Sequence, residues 1–142
     1  MLVRLLYASR PAAPLNTTLI DGILAQSQKS NPSRGITGIL VYNDRLFMQV
    51  LEGGRDEVCE LFNAIVRDER HEHVRLLSYA EIVERRFGGW TMGYVNAARV
   101  NPSLLLKYGE KPVLDPFSWP AHASLALLDE LIATAAVVSR SA

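Results

Sequence analysis

The chain has 142 residues, 49% of them hydrophobic, and its 15 basic and 15 acidic side chains cancel. A chain of this length buries most of its unfolded surface as one domain. Its balanced charge excludes a global field that would attract nucleic acid or an acidic membrane, so we expect neither as a partner.

The amino-terminal half predicts a strand, a helix and a hairpin. The run LVRLLYAS, residues 2–9, is typical of a strand with two apolar faces. Apolar residues then recur at helical spacing from position 19, with Asn16 or Thr17 as the N-cap, and Pro32 predicts an end near Asn31. The runs GITGILVY and RLFMQVLE, joined by NDR, predict two antiparallel strands.

The next segment predicts a second helix and two more strands. The helix opens at Gly53 and Gly54, carries an apolar stripe and ends near Asp68. HVRLLSYAEIV predicts a fourth strand, and WTMGYVNA predicts a fifth that begins with Trp90 and Met92. The order β-α-β-β-α-β-β predicts an α+β, ferredoxin-like sandwich with a mixed five-stranded sheet and two helices on one face.

The character of the chain changes beyond residue 100. Four prolines punctuate a loop-rich segment, and a helix is predicted from about Ala121 to Val138. We therefore expect a domain at residues 1–100 and a C-terminal helical extension at 101–142 that packs on the sheet or at an interface. The broad apolar face of the predicted helix comprises Leu125, Leu128, Leu131, Ile132 and Ala135.

Motifs of common catalytic sites are missing from the sequence. No phosphate loop, zinc peptidase or serine hydrolase motif occurs, and His71 and His73 have no third ligand nearby, so we expect no metal site. The single cysteine, Cys59, lies in an amphipathic run where a small hydrophobe is its usual role. No segment offers the roughly 18 unbroken apolar residues of a membrane helix. We predict a cytoplasmic protein that is not an enzyme.

Polar side chains inside apolar elements are the remaining signal. Gln49 lies in the middle of LFMQVLEGG, and burying its amide unpaired would cost roughly 1–3 kcal/mol. The first and third strands are natural neighbours in this sheet plan, so the phenol of Tyr7 is a candidate donor to that amide. The residues alone leave two interpretations open, a satisfied pair in an ordinary core or a functional site.

Five segments, taken in order and spacing, resemble the signature of BLUF domains, which are blue-light sensors that use flavin. These segments are LLYAS, SQKSNPSRGITGILVY, LFMQVLEG, VRDERH and ERRFGGWTMG. The resemblance covers the chain from about Leu2 to Val95. It implies a flavin held between the two helices, usually FAD, with FMN or riboflavin as alternatives.

The resemblance also implies roles for particular residues. Tyr7 resembles the photoactive tyrosine, Gln49 the glutamine between it and flavin N5 and O4, and Asn31 the side chain that binds the pyrimidine edge of the ring. The other expected cofactor contacts are Ser27, Phe47, Asp68, Arg70, His71, Trp90 and Met92.

Some of these positions stay open at the level of sequence. Ser30 stands where certain family members have histidine or asparagine, and Ser27 is either a ring contact or a helix-end hydroxyl. Trp90 and Met92 match a pair that exchanges places in some family structures, and we favour Met92 as the neighbour of Gln49.

The function implied by the resemblance is that of a photoreceptor. In the family, the tyrosine gives an electron and a proton to excited flavin by way of the glutamine, and a new hydrogen-bond pattern stores the signal. Because the segment after residue 100 is too short for an output enzyme, we expect a signalling partner in trans, together with a homo-oligomer. The alternatives are a non-photochemical flavin or small-ligand module, which needs neither Tyr7 nor Gln49, and an acylphosphatase-like enzyme, for which only Arg10 is available.

Overall fold

A six-stranded mixed sheet lies at the centre of the protein, whose computed structural model describes residues 1–134 and 136–139. The strands are β1 (Leu2–Pro11), β2 (Thr37–Tyr42), β3 (Phe47–Gly54), β4 (His71–Ile82), β5 (Gly93–Asn96) and β6 (Val138–Ser139). The helices are α1 (Thr17–Arg34), α2 (Arg55–Arg67), α3 (Pro102–Leu106) and α4 (Ala121–Ala133), with a short 3-10 helix at Ala97–Arg99.

The strands follow the order β4-β1-β3-β2-β5-β6 across the sheet. The β2–β5 pair is parallel and the other neighbouring pairs are antiparallel. This arrangement confirms the predicted ferredoxin-like class with its mixed sheet. It also confirms that the first and third strands are neighbours, and their register sets Tyr7 directly opposite Gln49.

The C-terminal end differs from the prediction. The helix predicted to reach Val138 ends at Ala133, and Val138 pairs with Tyr94 in a sixth strand that the sequence analysis did not foresee. The adjacent β-branched residues Val137 and Val138 favour extended structure over helix, which accounts for the change. Ala135, which the predicted apolar face included, lies outside the described residues.

Two other boundaries differ from the prediction. Helix α1 continues through Pro32 to Arg34, although a proline within a helix has no N–H to donate to the residue four positions earlier. Gly35 then adopts a left-handed φ of 66°, and its N–H donates to the carbonyls of Asn31 and Pro32, which closes the helix. Strand β5 begins at Gly93, so Trp90 and Met92 lie in the preceding loop and not in the strand.

Each face of the sheet is covered by a different part of the chain. Helices α1 and α2 pack on the face that carries Tyr7, Phe47 and Leu51. The segment after residue 100 packs on the opposite face of the sheet, and its apolar helix covers that face. Whether residue 100 is a boundary between two domains stays a prediction for this segment. Its buried residues are Leu105, Leu114, Trp119, Leu127, Leu128 and Leu131.

The close approach of β2 and β3 gives a test of this sheet. A Cβ added at Gly38 would lie 2.0 Å from the carbonyl oxygen of Val50, so Gly38→Ala must separate the two strands. We expect it to lower the free energy of unfolding by at least about 2 kcal/mol, measured by urea titration. The control is Gly22→Ala on exposed α1, where a Cβ meets nothing within 4 Å and should stabilise the protein by about 0.5–1 kcal/mol. Unchanged stability of Gly38→Ala would contradict this account of the strand pairing.

Candidate functional site

A cleft of about 370 Å³ lies between α1 and α2, above the centre of the sheet. Strand β1 supplies Tyr7 to its floor and β3 supplies Gln49, because both side chains point to the helix-covered face at paired positions. Seven of the ten residues that the sequence analysis selected line this cleft. They are Tyr7, Ser27, Asn31, Gln49, Asp68, Arg70 and His71.

The two polar groups on the floor of the cleft are hydrogen-bonded to each other. The Tyr7 hydroxyl donates to Oε1 of Gln49 at 2.5 Å. Both side chains are almost fully buried, Tyr7 with 1% and Gln49 with 4% of its surface exposed. Tyr7 is therefore the hydrogen-bond partner that the buried amide of Gln49 requires.

The other end of the Gln49 amide contacts Met92. Nε2 of Gln49 lies 3.3 Å from the Met92 sulfur and donates to it. Trp90 lies elsewhere: its side chain packs with the cluster on the opposite face of the sheet, and its carbonyl accepts from the N–H of Gly38 at 3.0 Å. In this structure Met92, and not Trp90, is the neighbour of Gln49.

Asn31 connects helix α1 to the same loop. Its side chain is buried, with 1% of its surface exposed, and Nδ2 donates to the carbonyl of Thr91 at 3.2 Å. Because α1 continues past Pro32, Asn31 lies within the last full turn and faces the cleft. Asn31 therefore joins the wall of the cleft to the residue next to Met92.

Asp68, Arg70 and His71 form a charged rim where α2 leads into β4. The Arg70 guanidinium donates to Asp68 from Nε at 3.0 Å and from Nη2 at 2.6 Å, and it also reaches Oε1 of Gln26 at 2.8 Å. The hydrogen bond from Arg70 lowers the pKa of Asp68, and in turn the pKa of Arg70 is raised. The pair stays charged at neutral pH beside the cleft.

His71 also contacts the first strand and the core. Its Nδ1 lies 2.8 Å from the Ser9 hydroxyl, and its ring packs against Phe47 with ring centroids 5.0 Å apart. Burial lowers the pKa of His71, an effect that the nearby Asp68 carboxylate partly opposes. Phe47 is fully buried beneath His71 and supports the floor of the cleft without lining it.

The phenol of Tyr7 is kept protonated by its surroundings. Burial raises the pKa of Tyr7 well above its ordinary value, and the negative charge of Asp68 acts in the same direction. The Tyr7 O–H is therefore present at neutral pH, as the hydrogen bond to Gln49 requires.

The sequence analysis missed part of the cleft wall. Helix α1 also contributes Ile23, Gln26 and Arg34, and Ser30, whose role the sequence left open, lines the cleft as well. Together with Ser27 and Asn31 these residues recur at a spacing of three or four residues. That helical spacing is visible in the sequence once Asn31 is placed in the site. Helix α2 contributes Leu61, Ala64, Ile65 and Arg67.

A larger groove of about 1130 Å³ lies beside the start of α1, between β2, β5 and the C-terminal segment. Its four asparagines serve local structure: Asn16 caps α1, Asn43 accepts from the hairpin turn, and Asn96 and Asn101 cap the short helices that follow. The smaller cleft is the better candidate site, because buried polar groups converge on it from distant parts of the chain.

Among residues 1–134 and 136–139, no cluster of three histidine, cysteine, aspartate or glutamate side chains has the arrangement of a metal site. No helix in the described part of the chain is both long and apolar enough to cross a membrane.

The structure combines a ferredoxin-like domain with a buried tyrosine–glutamine pair beneath a cleft between two helices. Residues 2–93 match the sequence profile of the family described as "Sensors of blue-light using FAD". The chain belongs to this family, the BLUF domains.

Solved structures agree with this assignment. The photo-activated state of BlsA is 34% identical, with a TM-score of 0.82 over 93% of this chain and 95% of that one. The dark-state structure of BlrB, a BLUF protein, is 33% identical, with a TM-score of 0.77 over 94% of this chain and 96% of that one. The likeness therefore extends beyond the matched family segment into the C-terminal part.

Curated relatives include longer proteins. The photoactivated adenylate cyclase subunit beta of Euglena longa is 34% identical over 92 residues, which are 64% of this chain and 11% of that protein. The blue light- and temperature-regulated antirepressor BluF of Escherichia coli is 32% identical over 88 residues, or 22% of its length. The chain thus spans about a tenth to a fifth of the length of these two curated relatives.

The lowered pKa of His71 predicts an acid-sensitive site. Between its ordinary pKa of 6.5 and the lower folded value, the unfolded chain binds a proton that the folded protein does not. The free energy of unfolding should therefore fall as the pH drops below about 6.5. In His71→Gln, the free energy of unfolding should depend less on pH when unfolding is followed from pH 7.5 to 5. The control is His122→Gln, an exposed residue of α4, which should retain the wild-type profile. An acid limb as steep in His71→Gln as in wild type would contradict the prediction.

Proposed function

We propose that this chain is a blue-light photoreceptor that holds FAD between α1 and α2 and signals by rearranging the hydrogen bonds of Tyr7 and Gln49. The observation that carries the proposal is the buried bond from the Tyr7 hydroxyl to Oε1 of Gln49, at the floor of an otherwise accessible cleft. Membership in a family of blue-light sensors supports the same conclusion.

The residues of the cleft suit a flavin ring. Its volume of about 370 Å³ lies at the lower end of the range for ligand pockets, so the ring would fill it and the rest of the cofactor would extend to the rim. A primary amide has two N–H groups, and Met92 is the one acceptor recorded for Nε2 of Gln49 among the described residues. The second N–H is therefore available to an acceptor at the edge of the ring. Arg34, Arg67 and Arg70 line the same cleft; Arg34 pairs with Glu57 and Arg70 with Asp68, and Arg67 offers its positive charge to phosphate groups.

When bound, the flavin supplies absorption of blue light and an acceptor for one electron and one proton. Tyr7 is the donor of both, and its raised pKa ensures that the O–H is intact before illumination. The proton leaves along the hydrogen bond to Gln49, and the amide then rotates or tautomerises, which exchanges its donor for its acceptor. The electron and the proton return to Tyr7 in the same cycle, so no substrate is consumed. We assign the present arrangement, with Tyr7 donating to Gln49, to the dark state.

FAD is the form of flavin that we propose. The family description names FAD, which supports this choice. FMN is the alternative, since BlrP1 of Klebsiella pneumoniae, a relative of 29% identity, has been solved with FMN. Riboflavin would leave the rim arginines without a phosphate, which makes it the weaker candidate.

We also propose that the chain signals to a partner protein in trans and has no enzyme activity of its own. The likeness to BlsA and BlrB over nearly the whole of each chain supports this, because both structures have about the length of this chain. A cytoplasmic location is proposed on the single cysteine, Cys59, which is free and suits a reducing compartment.

The Tyr7–Gln49 switch can be tested by absorption spectroscopy. Tyr7→Phe keeps the ring and Gln49→Leu keeps the approximate size, so both variants should bind flavin. Neither should form the red-shifted state after blue light, because the first lacks the O–H and the second lacks the amide. Wild type and the control Tyr42→Phe, whose hydroxyl lies at the larger groove, should show the full shift. The flavin released by denaturation should be FAD by mass.

The outcomes separate the alternatives. A full red shift in either variant would exclude that residue from the mechanism and return its burial to core packing, with a stability cost of about 1–3 kcal/mol. A yellow wild-type protein without any red shift would favour the non-photochemical flavin module.

Self-association is the last element of the proposal. Strand β4 is an edge strand of the sheet, and it exposes Leu76 and Tyr79, with Val83 following. Such an apolar edge supports a homo-oligomer. Light scattering should give a multiple of the 15.8 kDa chain mass, and Leu76→Lys should lower that mass. A wild-type mass of one chain, in darkness and in blue light, would contradict the oligomer.

A further inference from the structure

Glu52 is a fully buried carboxylate for which the Tyr7–Gln49 switch gives no role. It lies on β3 three residues after Gln49, so its side chain points to the opposite face of the sheet. The Arg4 Nε donates to its Oε2 at 2.8 Å. The backbone N–H of Phe87 donates to Oε1 at 2.6 Å, and the N–H of Arg86 lies 3.0 Å from the same oxygen.

Those two backbone groups belong to the segment that carries Met92. We call residues 83–92, which connect β4 to β5, the switch loop. Arg85 fixes this loop to Thr37 and to the backbone carbonyl of Glu52 through Nη1, at 3.0 and 3.2 Å. Near its end, the carbonyl of Trp90 accepts from Gly38 and that of Thr91 accepts from Asn31. The loop is thus anchored at its middle by Glu52 and at its end beside the cleft.

The anchor depends on a carboxylate. Among the described residues, the hydrogen-bond partners of the Glu52 side chain are all donors, and both of its oxygens are engaged. A glutamine of the same shape would present an NH₂ group to one of these donors and leave that part of the site unpaired. The site therefore distinguishes glutamate from glutamine, although neither residue can contact the cleft from this face.

Resting on the function proposed above, we propose that Glu52 is a positioning residue that sets the lifetime of the lit state. In the dark arrangement Met92 accepts from Gln49, and rearrangement of the amide removes that donor. While Glu52 holds the switch loop, the Met92 sulfur stays within hydrogen-bonding distance of the Gln49 N–H that returns to it in the dark. A loosened loop lets Met92 move away, so the dark arrangement forms again more slowly.

The experiment follows the decay of the red-shifted absorption in the dark, after a blue flash, in flavin-loaded full-length protein. Glu52→Gln should form the red-shifted state and lose it more slowly than wild type by about threefold or more. Glu81→Gln, the same substitution at an exposed glutamate paired with Arg55, should decay at the wild-type rate. A Glu52→Gln decay that is equal to or faster than wild type overturns the proposal.

Two further variants separate positioning from loss of stability. Val50→Ala lowers stability on the same strand face and leaves the hydrogen bonds between Glu52 and the switch loop in place, so a decay as slow as that of Glu52→Gln would overturn the proposal. In a Met92→Leu background the sulfur is absent, so adding Glu52→Gln should produce no further slowing. Slowing that persists there shows a route other than Met92 and overturns the proposal.

If Glu52→Gln does not retain flavin, Arg85→Gln decides the question, because it loosens the same loop from a partly exposed side chain. Decay slower by about twofold supports the proposal, and an unchanged decay overturns it. A wild-type protein that shows no red shift would instead refute the proposed function, which keeps the two failures distinguishable.

Discussion

The hydrogen bond between Tyr7 and Gln49 depends on the pairing register of β1 and β3. Opposed residues of an antiparallel pair lie within reach of each other, and the register here sets Tyr7 against Gln49 as the sixth of eight consecutive pairs. A slip of one residue would turn one of the two side chains to the other face of the sheet and break the bond. The polar floor of the cleft is therefore as well determined as the core around it, since both depend on the same strand register.

The apolar character of these strands is also why most of the fold was predictable from the sequence. Short apolar runs with β-branched and aromatic residues indicate the strands. A single glutamine inside such a run needs a hydrogen-bond partner from an adjacent strand. The family resemblance then assigned roles to residues that local patterns could not rank, such as Asp68 and His71. The helical spacing in α1 also predicts wall residues that the sequence analysis did not select. Arg34 and Gln26 follow from the three- and four-residue spacing of the wall residues around Asn31.

What the sequence could not show are contacts between segments far apart along the chain. Nothing local distinguishes Glu52 from an ordinary strand-end glutamate, because its donors come from Arg4 and from backbone groups 34 and 35 residues later. The position of Met92 relative to Trp90 likewise depends on how Gly38 and Asn31 fix the loop. The sixth strand required the C-terminal segment to return to the edge of β5, which is a long-range event with a short and weak local signal.

The odd spacing between Gln49 and Glu52 places their side chains on opposite faces of the sheet, and the switch loop is the segment that contacts both faces. A strand alternates its side chains, so Gln49 faces the cleft and Glu52 faces the C-terminal segment. The close-packed sheet between them has little freedom to move, because its strands are paired on both sides. The loop that contacts both faces is the more deformable connection: Met92 meets Gln49 at one end, while Phe87 packs in the opposite core and Arg86 pairs with Asp129 of α4 at 2.6 Å. A displacement of Met92 is therefore opposed by the anchor at Glu52 before it reaches α4.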